Sequence, residues 1–205
     1  MNPFDHALGL GLPQWLGLLA AYMLGCVNTG YYLVRWRTGR DLRTLGSGNA
    51  GAKNVGRFLG PWGFAAALLG DMLKGGLAML GARLAGWSPG VCVLVLFAVT
   101  AGHNWPAQLG FRGGKGLAAS FGALLFFDPL LAGAMLALCG ALLAVTRRFT
   151  LSAAIPYAAS PALAVACGHG VGVALLLIPV AGLVVLPHRR DLGSELARSR
   201  PTASP

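Results

Sequence analysis

The chain has 205 residues, of which 56% are hydrophobic and 11% are charged, and its mean hydropathy is +0.66. Soluble domains carry about 25% charged residues, so this composition excludes a soluble globular protein and predicts an integral membrane protein. The net charge of +10 indicates membrane lipids and anionic substrates as partners rather than nucleic acid. The basic residues lie between apolar segments, and the aromatic interleaving of a single-strand binder is absent.

The first apolar segment runs from Trp15 to Val34 and is followed by arginines as far as Arg43. Interfacial aromatic residues with basic residues just beyond them are typical of a cytoplasmic exit. Residues 1–13 contain no basic cluster, so we do not expect a cleaved signal peptide. The four cysteines lie singly in apolar stretches, which predicts buried thiols rather than disulfides or metal ligands.

Six further apolar segments complete the predicted set, at 62–84, 91–100, 117–127, 130–146, 151–167 and 171–186. Leu117–Phe127 is shorter than the about 20 residues of a regular span, so it either crosses as a short helix or re-enters the same face. Pro156 and Pro161 predict a kink in the sixth segment. Seven crossings place every dense basic cluster on one side, whereas six would move Arg147 and Arg148 outside.

We therefore predict an all-α, polytopic membrane protein with seven transmembrane helices, some short or kinked, and with its N-terminus outside. Residues 1–197 form a single membrane-embedded domain in this interpretation. The Ser/Pro-rich tail at 198–205 is predicted to be disordered.

Three polar segments rich in glycine or basic residues fall on the predicted cytoplasmic side, at 46–57, 110–116 and 188–195. Glycine lets backbone N–H groups approach a ligand, and such groups beside Ser, Asn and Arg side chains suit a phosphate. The second segment is not a P-loop. Leu109 stands where that pattern needs glycine, and Gly116 stands where it needs the hydroxyl that binds Mg²⁺. We therefore predict an anion site without ATP hydrolysis and without a metal ion.

The polar motifs follow one another in a specific order: Gly46-Ser-Gly-Asn-x-Gly-x-x-Asn-Val-x-Arg57, Asp71-x-x-Lys74-Gly, Gly102-His-x-x-Pro106 and Gly113-Gly-Lys-Gly116. In order and spacing they resemble the bacterial acyl-phosphate:glycerol-3-phosphate acyltransferase family, across residues 12–195. The resemblance implies a bacterial inner-membrane enzyme whose active site faces the cytoplasm. It implies transfer of a fatty acyl group from acyl phosphate to the 1-hydroxyl of glycerol 3-phosphate, giving lysophosphatidic acid and phosphate. No cofactor is expected, and we expect a monomer.

The resemblance also implies roles for individual residues. Ser47, Arg57 and Lys115 are expected to hold glycerol 3-phosphate, with His188 lining the same pocket, and these four are the predicted catalytic residues. The other residues predicted to bind substrate are Gly48, Asn49, Asn54, Gly113, Gly114, Gly116, Thr150 and Asp191. The acyl chain is expected in an apolar groove between helices. The family mechanism is thought to be substrate-assisted, so the enzyme contributes positioning and charge stabilisation.

Three positions depart from the family pattern. Lys53 stands where threonine is usual, and Thr150 stands where serine is usual. Asp191 replaces an amide in a shortened third motif, and its carboxylate would repel a phosphate unless Arg190 or Lys53 neutralises it. This departure leaves open an acyltransferase that uses another phosphorylated acceptor.

Simpler interpretations remain beside the functional ones. Lys115 and Arg57 could be topology charges alone, and His188 could be an interface residue. His103 could be catalytic, although packing and a backbone hydrogen bond at the end of a span are favoured. The pair formed by positions 71 and 74 lies on one helical face and is expected to be structural. For the whole chain, the alternative is a non-enzymatic or transporter-like relative that keeps the anion pocket, although no internal repeat supports a transporter.

Overall fold

The computed structural model describes residues 10–197, and all regular structure within them is helical. The nine α-helices are α1 (Leu12–Cys26), α2 (Thr29–Thr38), α3 (Ala52–Leu84), α4 (Pro89–Asn104), α5 (Leu117–Phe127), α6 (Pro129–Thr146), α7 (Phe149–Ala166), α8 (Val171–Val185) and α9 (Arg189–Ala197). Short 3₁₀ turns lie at Leu42–Thr44, Ala107–Leu109 and Leu186–His188. The predicted disordered tail, 198–205, lies outside the described residues.

Six helical segments of the described chain are long and apolar enough to cross a membrane: Leu12–Thr38, Ala52–Leu84, Pro89–Leu109, Pro129–Thr146, Phe149–Ala166 and Val171–Ala197. The short helix α5 is a seventh apolar element with 11 residues, which span roughly 16 Å of a hydrocarbon core about 30 Å thick. Arg83, near the end of α3, donates hydrogen bonds to the carbonyls of Phe126 and Phe127 at 3.0 and 3.1 Å. The end of α5 therefore lies level with the end of α3, and the predicted seven-helix arrangement is confirmed.

The predicted first span is broken in two. Helix α1 ends at Cys26 and α2 begins at Thr29, with Val27 and Asn28 in non-helical conformations between them. Two buried charges of α3 satisfy the free helix ends. The Lys74 ammonium donates to the carbonyls of Gly25 and Val27 at 3.0 and 2.7 Å. The Asp71 carboxylate accepts the N–H of Thr29 at 3.3 Å.

These charges also neutralise each other, because the Lys74 Nζ lies 3.0 Å from the Asp71 Oδ1. Each charge faces the helix end of opposite partial charge. The prediction of a structural Asp71–Lys74 pair agrees with this geometry. The predicted first span remains one candidate crossing, Leu12–Thr38. Its helix is nevertheless interrupted, and the carbonyl and N–H groups freed at the break have partners that come from α3.

Helix α3 begins ten residues before the predicted start at Trp62, at Ala52. It bends at Gly60, which adopts φ 67° and ψ −166°, a backbone conformation that glycine tolerates. The next residue, Pro61, has no N–H to donate to the helical hydrogen bonds. Part of the first polar segment is therefore helical, and Arg57 projects from a helical turn. The third polar segment was likewise expected as a loop, but the structure folds it into a 3₁₀ turn followed by α9.

Small residues bring α3 and α5 into close contact. A Cβ atom on Gly75 would lie 1.9 Å from the carbonyl oxygen of Ala119, and one on Gly122 would lie 2.0 Å from that of Met72. Membrane helices approach this closely where glycine removes the side chain. The contact holds the start of α5 beside the middle of α3, which fixes the depth of the polar segment before α5.

At the opposite end of the bundle, Asp128 accepts hydrogen bonds from the N–H groups of Leu130 and Leu131 at the start of α6. Its carboxylate lies 2.6 Å from the ring of His169. Burial alone would raise the pKa of Asp128, but the hydrogen bonds from His169 and from the two N–H groups outweigh it and hold the pKa below its usual value. The pair ties the α5–α6 turn to the α7–α8 turn.

Candidate functional site

A cavity of about 550 Å³ opens at the end of the bundle where α3, α7 and α9 begin. Nine of the predicted site residues line it: Ser47, Gly48, Asn49, Asn54, Arg57, Gly114, Lys115, Thr150 and Asp191. Seven further residues of the lining were not predicted as site residues: the polar or charged Lys53, Arg189, Arg190, Ser194 and Glu195, and the apolar Leu186 and Pro187. Basic side chains outnumber acidic ones in this lining, which suits a phosphorylated ligand.

The first polar segment is folded around the Asn54 side chain, which is 1% exposed. Its amide nitrogen donates to the carbonyls of Leu42, Leu45 and Asn49 at 3.0 to 3.3 Å, and its oxygen accepts the N–H of Ser47 at 3.1 Å. The polar atoms of Asn54 thus hold the loop. Its predicted contact with acyl phosphate stays a prediction.

Two contacts join the first polar segment, and the turn just before it, to the second polar segment and the turn before that. The Arg43 guanidinium donates to the carbonyl of Leu109, and the N–H of Ala50 lies 3.5 Å from the carbonyl oxygen of Gly113. Asp41 pairs with Arg43 at 2.7 Å, and the hydrogen bond from this guanidinium holds the pKa of the Asp41 carboxyl below its usual value. The two segments therefore form one wall of the cavity.

In the second polar segment, two of the three glycines that were predicted to bind substrate have N–H groups that are already hydrogen-bonded. The N–H of Gly113 donates to the carbonyl of Asn104, and the N–H of Gly114 donates to that of His103, both at 3.0 Å. These N–H groups are not free to bind an anion. Gly114 lines the main cavity, Gly116 lines a second one, and Gly113 lines neither. Within this segment, Lys115 lines both cavities and brings an ammonium group to them.

Lys115 is paired with Asp191. Its Nζ lies 2.5 Å from the Asp191 Oδ2, with the lysine side chain 21% and the aspartate side chain 50% exposed. The sequence had indicated Arg190 or Lys53 as the neutralising partner, and the structure gives this part to Lys115 instead. A carboxylate thus lies beside the ammonium group that is predicted to bind a substrate phosphate.

Glu195 was missed as a site residue. Its two carboxylate oxygens accept the N–H groups of Thr150 and Leu151, both at 3.0 Å. The N-cap of α7 is Arg148, which has no acceptor to offer these N–H groups, so the carboxylate arrives from α9. Together with the Lys115–Asp191 pair, this contact fastens α9 across the cavity.

A second, smaller cavity of about 110 Å³ adjoins the first, and five residues line both: Asn49, Lys53, Lys115, Thr150 and Asp191. His188 lines this second cavity, and its Nδ1 donates to the carbonyl of Val184 at 2.7 Å. This contact orients the ring, and in a neutral imidazole it leaves the other nitrogen unprotonated. His188 is thus placed beside Lys115 and Asp191, although not in the main cavity.

The second cavity continues into an apolar groove of about 260 Å³ between α3, α5, α6 and α7. The residues that line both are Leu68, Leu117, Ala118 and Phe149. The deeper lining includes Met135, Cys139 and Tyr157. The main cavity is polar, the second cavity has a mixed lining and the groove is apolar. This order suits a ligand with an anionic head and a fatty chain.

Comparison with known proteins gives the family. The family model described as glycerol-3-phosphate acyltransferase matches residues 15–198. The chain belongs to this family. A relative from Desulfitobacterium hafniense (strain Y51), glycerol-3-phosphate acyltransferase 1, is 41% identical over 190 residues, which cover 92% of this chain and 94% of the relative. A glycerol-3-phosphate acyltransferase from Thermus thermophilus is 39% identical over 176 residues, which cover 85% and 87%.

Solved acyltransferase structures share the fold. The crystal structure of PlsY (YgiH), an integral membrane glycerol 3-phosphate acyltransferase, in its glycerol 3-phosphate form is 27% identical with a TM-score of 0.83, covering 92% of this chain and 94% of that one. Its lysophosphatidic acid form has the same fold, with a TM-score of 0.80 and 24% identity. The family resemblance and the all-helical membrane fold are confirmed. The roles of individual residues stay predictions.

Proposed function

We propose that this protein transfers a fatty acyl group from acyl phosphate to the 1-hydroxyl of glycerol 3-phosphate, with lysophosphatidic acid and phosphate as products. The observation that carries the proposal is the continuous passage from the cationic cavity through the second cavity into the apolar groove. A water-soluble phosphate ester fits the first space and a fatty chain fits the last. Family membership supports glycerol 3-phosphate as the acceptor.

The residues divide this work by position. Arg57 and Lys115 supply positive charge in the main cavity, where Ser47 adds a hydroxyl. The acceptor's phosphate would take the place that the Asp191 carboxylate holds beside Lys115. The reacting carbonyl would then lie in the second cavity, where the polar lining gives way to the apolar groove. Since phosphate is a good leaving group from a mixed anhydride, positioning and charge stabilisation suffice for the reaction.

The test is acyl transfer by purified protein from palmitoyl phosphate to labelled glycerol 3-phosphate, with palmitoyl-CoA as the competing donor and EDTA present throughout. Lys115→Ala should nearly abolish transfer. Arg57→Lys should raise the KM for glycerol 3-phosphate, because a planar fork becomes a point charge. Arg35→Lys, on α2 outside the cavity, is the matched control. Normal kinetics in both cavity variants would show that these segments are not the active site.

We further propose that the cavity faces the cytoplasm of a bacterial inner membrane and that the chain acts as a monomer. The arginine-rich end of α2 and the cavity lie on the same side of the bundle, which the positive-inside rule places inside. In intact cells that express a cysteine-free variant of the protein, Ser88→Cys should react with a thiol reagent added outside, and Thr44→Cys should not. Labelling at Thr44 would overturn the orientation.

A further inference from the structure

His103, in the last turn of α4, is a buried polar residue for which the mechanism above has no use. Its side chain is 3% exposed, yet it lines the second cavity together with Lys115 and His188. It lies directly beneath the second polar segment, because a Cβ atom on Gly114 would be only 2.0 Å from the His103 Nε2. The imidazole is therefore next to the residue that precedes Lys115.

The proton of this imidazole is placed by its neighbours. The His103 Nδ1 lies 2.9 Å from the Lys74 Nζ, and an ammonium group has hydrogens to donate but no lone pair to accept one. The Asp71 Oδ1 is 3.7 Å from the same Nδ1, which is too far for a hydrogen bond. Nδ1 is thus the unprotonated nitrogen, and Nε2 carries the hydrogen. Among the described residues, this Nε2–H has no acceptor.

The second cavity is also where an acyl carbonyl must lie. It shares residues with the anion-binding cavity on one side and with the apolar groove on the other. In any acyl donor, the carbonyl is the atom group between the chain and the leaving group. A donor whose chain fills the groove and whose phosphate points toward the main cavity therefore has its carbonyl in the second cavity, which the imidazole also lines.

We propose that His103 is a catalytic hydrogen-bond donor, whose Nε2–H binds the acyl carbonyl oxygen as that oxygen gains negative charge. The inference rests on the acyl transfer proposed above. The acceptor's hydroxyl oxygen forms a bond to the carbonyl carbon, and the C=O electron pair moves to the oxygen held by His103. When the pair returns, the bond to the phosphate oxygen breaks. The hydroxyl proton leaves with phosphate, and His103 keeps its own proton throughout.

The Asp71–Lys74 ion pair of α3 orients His103 for this role. Lys74 fixes which nitrogen of His103 is protonated, and it is itself held by Asp71 and by the broken end of α1. An oxyanion donor works best when it is already oriented before the charge develops. The carbonyl oxygen of His103 accepts the N–H of Gly114, so the same residue sets the distance between this donor and Lys115.

The experiment compares His103→Asn with His103→Gln. Asparagine can keep an acceptor near Lys74 but removes the donor at Nε2, whereas the longer glutamine places an amide N–H near the Nε2 position. Loss of one oxyanion donor costs roughly 10² to 10³ in kcat. We expect that loss for His103→Asn, and kcat within about tenfold of wild type for His103→Gln. The KM for glycerol 3-phosphate should stay unchanged in both, because His103 does not line the main cavity.

A role limited to supporting the loop gives a different pattern. Both variants would then raise the KM for glycerol 3-phosphate as Lys115 loses its position, and glutamine would rescue nothing. That pattern, or wild-type kcat in His103→Asn, overturns the proposal. Thermal unfolding in detergent identifies misfolded variants. Binding of palmitoyl phosphonate, which keeps the carbonyl, should weaken in His103→Asn even if palmitoyl phosphate is not the true donor. Failure of wild-type transfer would instead refute the proposed function.

Discussion

Replacing Asp191 with asparagine should make the protein bind glycerol 3-phosphate more tightly. The carboxylate lies 2.5 Å from the Lys115 Nζ, so a phosphate that binds the lysine must displace it. The substrate also meets a negative charge that an amide would not present. The substitution keeps the size of the side chain and one acceptor oxygen, while it removes the charge and replaces the other oxygen with an NH2 donor.

The size of the effect follows from the exposure of the pair. Exposed ion pairs contribute about 0.2 to 1 kcal/mol, and the half-exposed aspartate rules out the larger energies of buried pairs. The lysine is only 21% exposed, which favours the upper end of that range. A gain of about 1 kcal/mol corresponds to roughly fivefold in affinity, because 1.4 kcal/mol is tenfold. We therefore expect the Kd and KM for glycerol 3-phosphate to fall roughly fivefold, with kcat unchanged.

The assay is calorimetric binding of glycerol 3-phosphate without donor, followed by initial rates with saturating donor. Asp128→Asn is the matched control, because it makes the same change at the opposite end of the bundle and should leave both constants unaltered. The gain should shrink at high ionic strength, where the pair is screened. A raised KM, or a kcat more than tenfold lower, would show that the Asp191 carboxylate contacts the acceptor directly, and the competition argument would then be wrong.

Two further predictions concern the fold. Gly75→Ala should destabilise the protein by about 1–3 kcal/mol, because the added Cβ would lie 1.9 Å from the backbone oxygen of Ala119. Gly133→Ala is the control and should cost no stability, because its Cβ would have no atom within 4 Å. Equal unfolding temperatures of the two variants in detergent would contradict this prediction. Asp128 has a lowered pKa in the folded state, so its contribution is present above the unfolded value of about 3.9 and is lost as pH falls through the folded value. Asp128→Asn should lower the free energy of unfolding at neutral pH by about 1 kcal/mol. It should also weaken the fall of the unfolding temperature at acid pH. If that fall is unchanged in the variant, the Asp128–His169 pair does not cause it.

The sequence was sufficient to predict the parts of the site that depend on residue type. Arg57, Lys115 and Asp191 lie in polar segments next to apolar spans, and such segments stay at the membrane surface because the hydrocarbon core excludes them. Because the spans alternate in direction, the segments had to meet at one face. The short helix α5 was also predicted with the bounds that the structure shows, since Gly116 and Asp128 interrupt the apolar run on either side.

The features that were missed depend on contacts between distant parts of the chain. The break after Cys26 shows no glycine or proline at the break itself, and its freed carbonyls are satisfied by Lys74, almost 50 positions later. Glu195 reaches the start of α7 from 45 residues away. The orientation of the Gly113 and Gly114 N–H groups toward α4 is likewise a matter of packing. One signal was available for Glu195, because a helix whose N-cap is Arg148 lacks a side-chain acceptor of its own.

The broken first span has a consequence for biosynthesis. The second span enters the bilayer with two charged residues, and each would cost about 2.5–3.5 kcal/mol to insert alone at a helix centre. Asp71 and Lys74 offset each other from the start, but the ammonium still needs the carbonyls of Gly25 and Val27. Because the ribosome delivers the N-terminal segment first, those carbonyls are already in the membrane when Lys74 arrives. The order of synthesis thus places the end of α1 in the chain before α3, so that the carbonyls that bind Lys74 are made before Lys74 itself.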